Sequence, residues 1–225
     1  MVRWVEMSLP ESPPRPRLSL AVATNLLPPV AWGYELWRAR ALTLLSGRRF
    51  PLEEEFAQLV AALEPVRGGV FADLGTSTGL YARALLCRGA ARVYAVDLSS
   101  AMLRVAVRKA RGLPGFVPMR AWAESLPLPP QSCDGVAVGG SWNEFPQPER
   151  VAAEMARVLK PGGRYFVMFA HAGQSPLQRL LELSGLRFSS SAEVQAILEK
   201  FGLRGRAWRE GGVGFVSGAK VVEAV

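Results

Sequence analysis

Two short apolar runs end in an aspartate, and the two acids lie 24 residues apart: Asp73 in VFADLGTSTGLYARAL (70–85) and Asp97 in YAVD (94–97). A carboxylate offers only acceptors, so each acid suits a cation or a pair of hydroxyls. Between Asp73 and the helical pattern that follows lies a loop bounded by Gly75 and Gly79, where backbone angles and close approaches forbidden by a Cβ are open. A helix that starts near Gly79 presents N–H groups to an anionic or polar ligand. The glycine spacing then sorts the ligands. GxxxG without a lysine is neither the GxGxxG of a dinucleotide site nor the GxxxxGK of a phosphate-cradling loop. Asp73, next to the loop, repels pyrophosphate and favours a ligand that carries positive charge. Ser77, in mid-loop, fits if its backbone angles are negative, and its hydroxyl is then available to the ligand.

Such a loop needs strands and helices to hold it. From Val70 onward apolar runs alternate with helical patterns: GVFADL, then LYARALLCR; RVYAVDL, then SAMLRVAVRKAR; then GFVPMRA, CDGVAVGG, the helical PERVAAEMARVL and GRYFVMFA. This alternation predicts an α/β fold, Rossmann-like, with seven strands in a mostly parallel sheet, helices on both faces, and right-handed crossovers. After His171 the pattern changes to a serine-capped helix, SSSAEVQAILEKFGL, and two strand-like runs separated by Gly211 and Gly212, which read as an antiparallel closing hairpin. In such sheets ligands bind at the carboxyl ends of the strands, where the strand order reverses, and DLGTSTG and YAVD both follow early strands.

The chain divides into residues 1–50, an N-terminal arm and helical cap, and residues 51–225, the main domain. The first fifty residues hold seven arginines against three glutamates, half of the net charge of +8, together with the proline cluster PESPPRPR. AWGYELWRARALTLL (31–45) reads as a helix with Trp32, Leu36, Ala39 and Thr43 along one stripe. Pro51 and Glu53 to Glu55 read as the acidic first turn of another helix. Cys87 and Cys133, the only cysteines, read as buried reduced thiols, which places the chain in the cytoplasm. A single histidine and no CxxC pair leave no zinc site. No apolar run reaches the roughly eighteen residues needed to span a bilayer.

The ordered motifs resemble those of class I S-adenosylmethionine-dependent methyltransferases of the ubiquinone and menaquinone biosynthesis group, over about residues 55–220. VFADLGTSTG resembles the first motif and YAVDLSSAML the second; AESLPLPPQSCDGV resembles the segment that meets the adenine, and RVLKPGGRYFV the turn before the fifth strand. The resemblance implies S-adenosylmethionine as cofactor and S-adenosylhomocysteine as product. It assigns Asp73, Gly75, Thr76 and Gly79 to the methionine end, Asp97 to the ribose hydroxyls, and Leu98 and Met102 to the flanks of the adenine. Ala123 meets the adenine edge through its backbone, and Gly139 lines the floor near the sulfonium. Two positions depart from the family. Ser77 stands where the middle glycine belongs, and Trp122 where Asp or Asn receives the adenine amino group; the indole can cover the purine instead.

Methyl transfer from a sulfonium is an in-line displacement that positioning and exclusion of water can accelerate, so no universal catalytic residue is implied. A hydroxyl acceptor needs a base, for which His171 is the candidate, against the plainer reading of an imidazole bonded to backbone. Asn143 follows the fourth strand and serves either the acceptor or the cap of the next helix, Trp142 reads as a wall of the acceptor pocket, and Tyr34 as part of a lid. The resemblance implies a small-molecule acceptor. Two alternatives stand beside it: an RNA or protein methyltransferase that docks its substrate on the basic N-terminal segment, and a non-catalytic cofactor-binding protein, suggested by Ser77 and Trp122.

Overall fold

In the computed structural model, residues 35, 38, 51–173 and 176–222 are described. Along the chain these form α1 (Leu52–Leu63), β1 (Val70–Leu74), α2 (Leu80–Cys87), β2 (Arg92–Asp97), α3 (Ser100–Lys109), β3 (Phe116–Arg120) and β4 (Cys133–Gly139). A 3-10 turn (Ser141–Glu144) follows, then α4 (Pro148–Val158), β5 (Leu159–Ala170), α5 (Pro176–Leu183), α6 (Ser191–Glu199), β6 (Leu203–Glu210) and β7 (Val213–Lys220). Glu35 and Arg38 are both helical.

The seven strands form one sheet in the order β3-β2-β1-β4-β5-β7-β6. β1 to β5 are parallel, and β7 runs antiparallel to both β5 and β6. The α/β fold, the strand count and the antiparallel last strand are as the periodicity predicts. Strand order reverses between β1 and β4, so a crevice opens where the loops leaving the carboxyl ends of β1 and β4 part in opposite directions. The central strands are apolar on both faces because both are covered. One face packs α1, α2 and α3 around Leu59, Phe71, Leu85 and Phe166; the other packs α4 and α6 around Met155, Tyr165, Phe169 and Leu198.

Local chemistry sets the element ends. Ser99 caps α3 by accepting from Met102 N, and Ser190 caps α6 in a reciprocal box with Glu193. Pro148 sits in the first turn of α4, where its missing N–H costs nothing. Two features differ from the sequence reading. α5 forms in a stretch to which the sequence reading assigned no element, and Cys87 is exposed while Cys133 is buried. Cys87 ends α2 on the side away from Tyr81, Ala82, Leu85 and Leu86, the residues that enter the core. No helix among the described residues is long and apolar enough to cross a membrane.

Candidate functional site

β1 delivers Asp73 to the crevice with only 2% of its surface exposed, and the loop then folds back on it. Asp73 Oδ2 accepts from Thr76 Oγ1 at 2.5 Å and from Ala82 N, in the first turn of α2, at 3.1 Å. The N-terminal N–H of α2 that sequence reasoning offered to a ligand is thus partly used by the chain itself. Burial, and then the nearby Asp97, push the Asp73 carboxyl up to about 6, against the bonds from Thr76 and Ala82 and the charge of Arg38, which pull it down.

Asp97, at the end of β2, stitches two loops together. Its Oδ2 accepts from Ser77 N at 2.8 Å and its Oδ1 from Ser99 N at 2.7 Å. Burial pushes this carboxyl up to about 6 as well. The Leu98 N–H bonds the same carboxylate, and lone-pair capacity remains on it for hydroxyl partners.

The loop between them is left-handed at three residues: Gly75 (φ 65), Ser77 (φ 49) and Gly79 (φ 80). The expectation of negative angles at Ser77 is therefore corrected. Its N–H must turn toward Asp97, and the αL conformation that achieves this is one a serine adopts only at a cost. Gly75 is irreplaceable for a second reason: a Cβ there would stand 2.1 Å from Ser141 Oγ, whose hydroxyl donates to Gly75 O at 2.9 Å. Gly79 faces Ala106 and Phe116, the packing side of the loop.

Asp73, Gly75, Thr76, Ser77 and Gly139 line one open recess together with Leu80, Tyr81 and Arg38. Leu98 is half-buried beside Asp97, with its carbonyl held by Arg120 Nε at 3.2 Å. Met102 packs in a small cluster with Ala101 and Val105. Trp122 is half-buried and pairs with Ser125 in an isolated bridge, and Ala123 is buried between them.

The acceptor-side expectations fare differently. Trp142 is 3% exposed and belongs to the core, edge-on to Phe145, because the 3-10 turn points it down onto the sheet; the reading of it as a pocket wall is corrected. Asn143 caps no helix. Its amide donates to Ala170 O at 2.9 Å and Arg187 O at 2.6 Å, and its Oδ1 accepts from Ala170 N at 2.8 Å, tying the end of β5 to the loop beyond α5. His171 follows β5 with Nδ1 donating to Ala172 O at 2.8 Å and its ring stacked on Phe169, the backbone-bonded arrangement. Tyr34 lies outside the described residues, as do Trp32, Leu36, Ala39 and Thr43.

Sequence reasoning missed a group of charged residues at the recess. Glu55, read as part of an acidic first turn, is fully buried. Arg38 Nη1 donates to its Oε2 at 3.0 Å and Nη2 to its Oε1 at 2.5 Å, and Tyr81 Oη donates to the same Oε1. Arg38 also lies 5.6 Å from the Tyr81 ring centroid and reaches Gly139 O at 3.4 Å. One turn away, Glu35 accepts from Thr78 Oγ1 at 2.8 Å and pairs with Arg83 and Lys109 at 2.7 Å each. The signal available in the sequence was the register of α1: Glu55 stands four residues before Leu59 and eight before Leu63, on the stripe that enters the core. Among the described residues no group of three or more His, Cys, Asp or Glu side chains could hold a metal ion.

Residues 72–167 match the family model described as a methyltransferase domain. A demethylmenaquinone methyltransferase of Thermobifida fusca is 34% identical over 125 residues, covering 54% of this chain and 52% of that protein. A ubiquinone/menaquinone biosynthesis C-methyltransferase of Acidiphilium cryptum is 36% identical over 115 residues, covering 49% and 46%. The chain thus spans about half the length of the curated relatives it matches. Among solved structures, the YcgJ protein of Bacillus subtilis superposes with a TM-score of 0.63 at 26% identity over 70% of this chain and 71% of that one. Geranyl diphosphate C-methyltransferase of Streptomyces coelicolor, crystallised with S-adenosyl-L-homocysteine, superposes at 0.68 over 75% and 76%, with 16% identity that speaks to the fold alone.

Proposed function

We propose that this chain, whose residues 72–167 belong to the methyltransferase domain family on a class I S-adenosylmethionine-dependent methyltransferase fold, transfers a methyl group from S-adenosylmethionine to a small-molecule acceptor. The observation that carries the reading is a pair of carboxylates at the carboxyl ends of neighbouring strands beside the sheet's switch point, the buried Asp73 and the half-buried Asp97, with Arg38 lining the same recess as Asp73. A ligand that combines an ammonium, a carboxylate, a ribose diol and a sulfonium matches that set of charges; a dinucleotide pyrophosphate does not.

The recess takes the amino-acid end. Asp73 receives the ammonium, Gly75, Thr76, Ser77 and Gly79 shape the loop around it, Arg38 meets the carboxylate, and Gly139 forms the floor. Asp97 accepts from the ribose hydroxyls, Leu98 and Met102 flank the adenine, Ala123 bounds its edge, and Trp122 covers it. When bound, S-adenosylmethionine supplies an electrophilic methyl group on a sulfonium. The chain's part is to fix that end of the ligand, to exclude water and to hold the acceptor in line. His171 is not required as a base for a carbon acceptor, and its Nδ1 proton is already committed to Ala172 O. The names of the relatives make a demethylated quinone, in its reduced quinol form whose ring carbon is nucleophilic, the first acceptor to test. Residues 1–50 serve as arm and cap over the domain of residues 51–225, and the protein works in the cytoplasm.

Calorimetric titration with S-adenosylhomocysteine beside NAD tests the cofactor, and transfer of labelled methyl from S-adenosylmethionine to demethylmenaquinol, the reduced quinol form, tests the acceptor. Saturable binding of the first nucleoside with none of NAD is the expected outcome. Binding of NAD alone would overturn the reading.

A further inference from the structure

Glu55 lies outside every motif that led to the site, yet it is the most deeply buried charged side chain near the recess, at 0% exposure. Burying an acid in that way is costly unless its oxygens are matched, and here they are: the Arg38 guanidinium engages both oxygens in a fork, and the Tyr81 hydroxyl donates to one of them. Tyr81 is itself 2% exposed, and burial first, then the charge of Glu55, hold its hydroxyl well above the ordinary range, so the proton stays on Tyr81 and the bond to Glu55 persists. A guanidinium gripped at two nitrogens on one side and lying against the Tyr81 ring has lost most of the freedom of a long side chain. The two residues that grip it come from α1 and α2, neighbouring helices on the same face of the sheet, so its position is set by the framework of the site.

We propose that Glu55 and Tyr81 are positioning residues, which hold the Arg38 guanidinium at the recess so that its charge faces the carboxylate of the bound amino-acid moiety. The inference rests on the cofactor reading above. A prepositioned guanidinium spares the ligand the entropy of ordering it, and the gain applies only to ligands that carry the carboxylate. Glu55→Gln loosens the fork by removing the charge from one side of it. Tyr81→Phe removes a single hydroxyl and leaves the ring in place.

The test compares two ligands by calorimetry: S-adenosylhomocysteine, and 5′-methylthioadenosine, which has the nucleoside and sulfur without the amino-acid end. Glu55→Gln is expected to weaken the first about tenfold, the scale of one charge-assisted contact, and to leave the second within about twofold; Tyr81→Phe shifts the same ratio in the same direction by a smaller factor. Equal weakening of both ligands would show Glu55 to be merely structural, and no weakening of either would show that Arg38 does not depend on it; both results overturn the proposal and leave the cofactor reading intact. Wild-type protein that binds neither ligand would overturn the cofactor reading and this inference with it.

Discussion

Replacing Asp73 by asparagine should make the protein more stable at neutral pH while it weakens cofactor binding. The carboxyl is raised from its ordinary 3.8 to about 6, chiefly by burial. At pH 7.5 the folded chain therefore holds a charge that it binds less well than the unfolded chain does. A displacement from 3.8 to about 6 corresponds to about 3 kcal/mol lost to folding at that pH. The native bonds survive the substitution because Thr76 Oγ1 and Ala82 N both donate to one oxygen, Oδ2, which the asparagine carbonyl can replace. Asp97 offers no such exchange: its two oxygens each accept a backbone N–H, and an amide nitrogen would oppose one of them. The direction with pH follows from the raised value. Wild-type stability is greatest below the unfolded value and declines as pH rises through about 6, so the advantage of Asp73→Asn should be about 3 kcal/mol at pH 7.5, about half that at pH 5, and vanish in more acid solution. Urea unfolding of both proteins at pH 7.5 and 5 measures the difference, with a melting shift of roughly 6–12 °C at the higher pH for a chain of this size. A variant less stable than wild type at pH 7.5, or an advantage that does not shrink on acidification, would refute the argument that burial strains this carboxylate.

Ser77→Gly should raise stability by about 0.5–1 kcal/mol, since a left-handed serine costs roughly 1–2 kcal/mol and glycine returns about 0.5–1 through unfolded-state entropy; a melting temperature lower than wild type would contradict it. Asn143→Ala strips partners from Ala170 N, Ala170 O and Arg187 O, and should cost about 3 kcal/mol and speed hydrogen exchange at Ala170, an effect readable by NMR. Gly75→Ala forces a Cβ to 2.1 Å from Ser141 Oγ at a left-handed backbone, and should abolish S-adenosylhomocysteine binding in the same calorimetric assay. Because a cationic ammonium favours the ionised form of Asp73, affinity for S-adenosylhomocysteine should rise with pH through about 6, with proton release at pH 6 and none at pH 8 when titrations are compared in buffers of different ionisation enthalpy.

The one-dimensional pattern determined the fold class, because strands buried on both faces must be continuously apolar and must be joined by helices that cover them; GVFADL, RVYAVDL and CDGVAVGG could be read as β1, β2 and β4 with no knowledge of what they touch. It also placed Asp73 and Asp97 at strand ends, since the glycine loop and the polar turn announce where each strand stops. The closing hairpin was legible for the same reason, in Gly211 and Gly212 between two strand-like runs. Contacts between residues distant in the chain carry no such local mark. The left-handed angle at Ser77 follows from Asp97, twenty residues on; the burial of Trp142 follows from the direction in which a 3-10 turn leaves β4; and the clamp role of Asn143 needs the backbone of Ala170 and Arg187. The charged group at the recess shows the limit most plainly. Glu55 looks like a surface acid at a helix start because charge is ordinarily solvated there, and only the arrival of Arg38, seventeen residues earlier, and Tyr81, twenty-six later, makes its burial affordable. Local sequence fixes where backbone polar groups pair, whereas the matching of buried charges is decided by what the assembled helices bring into range.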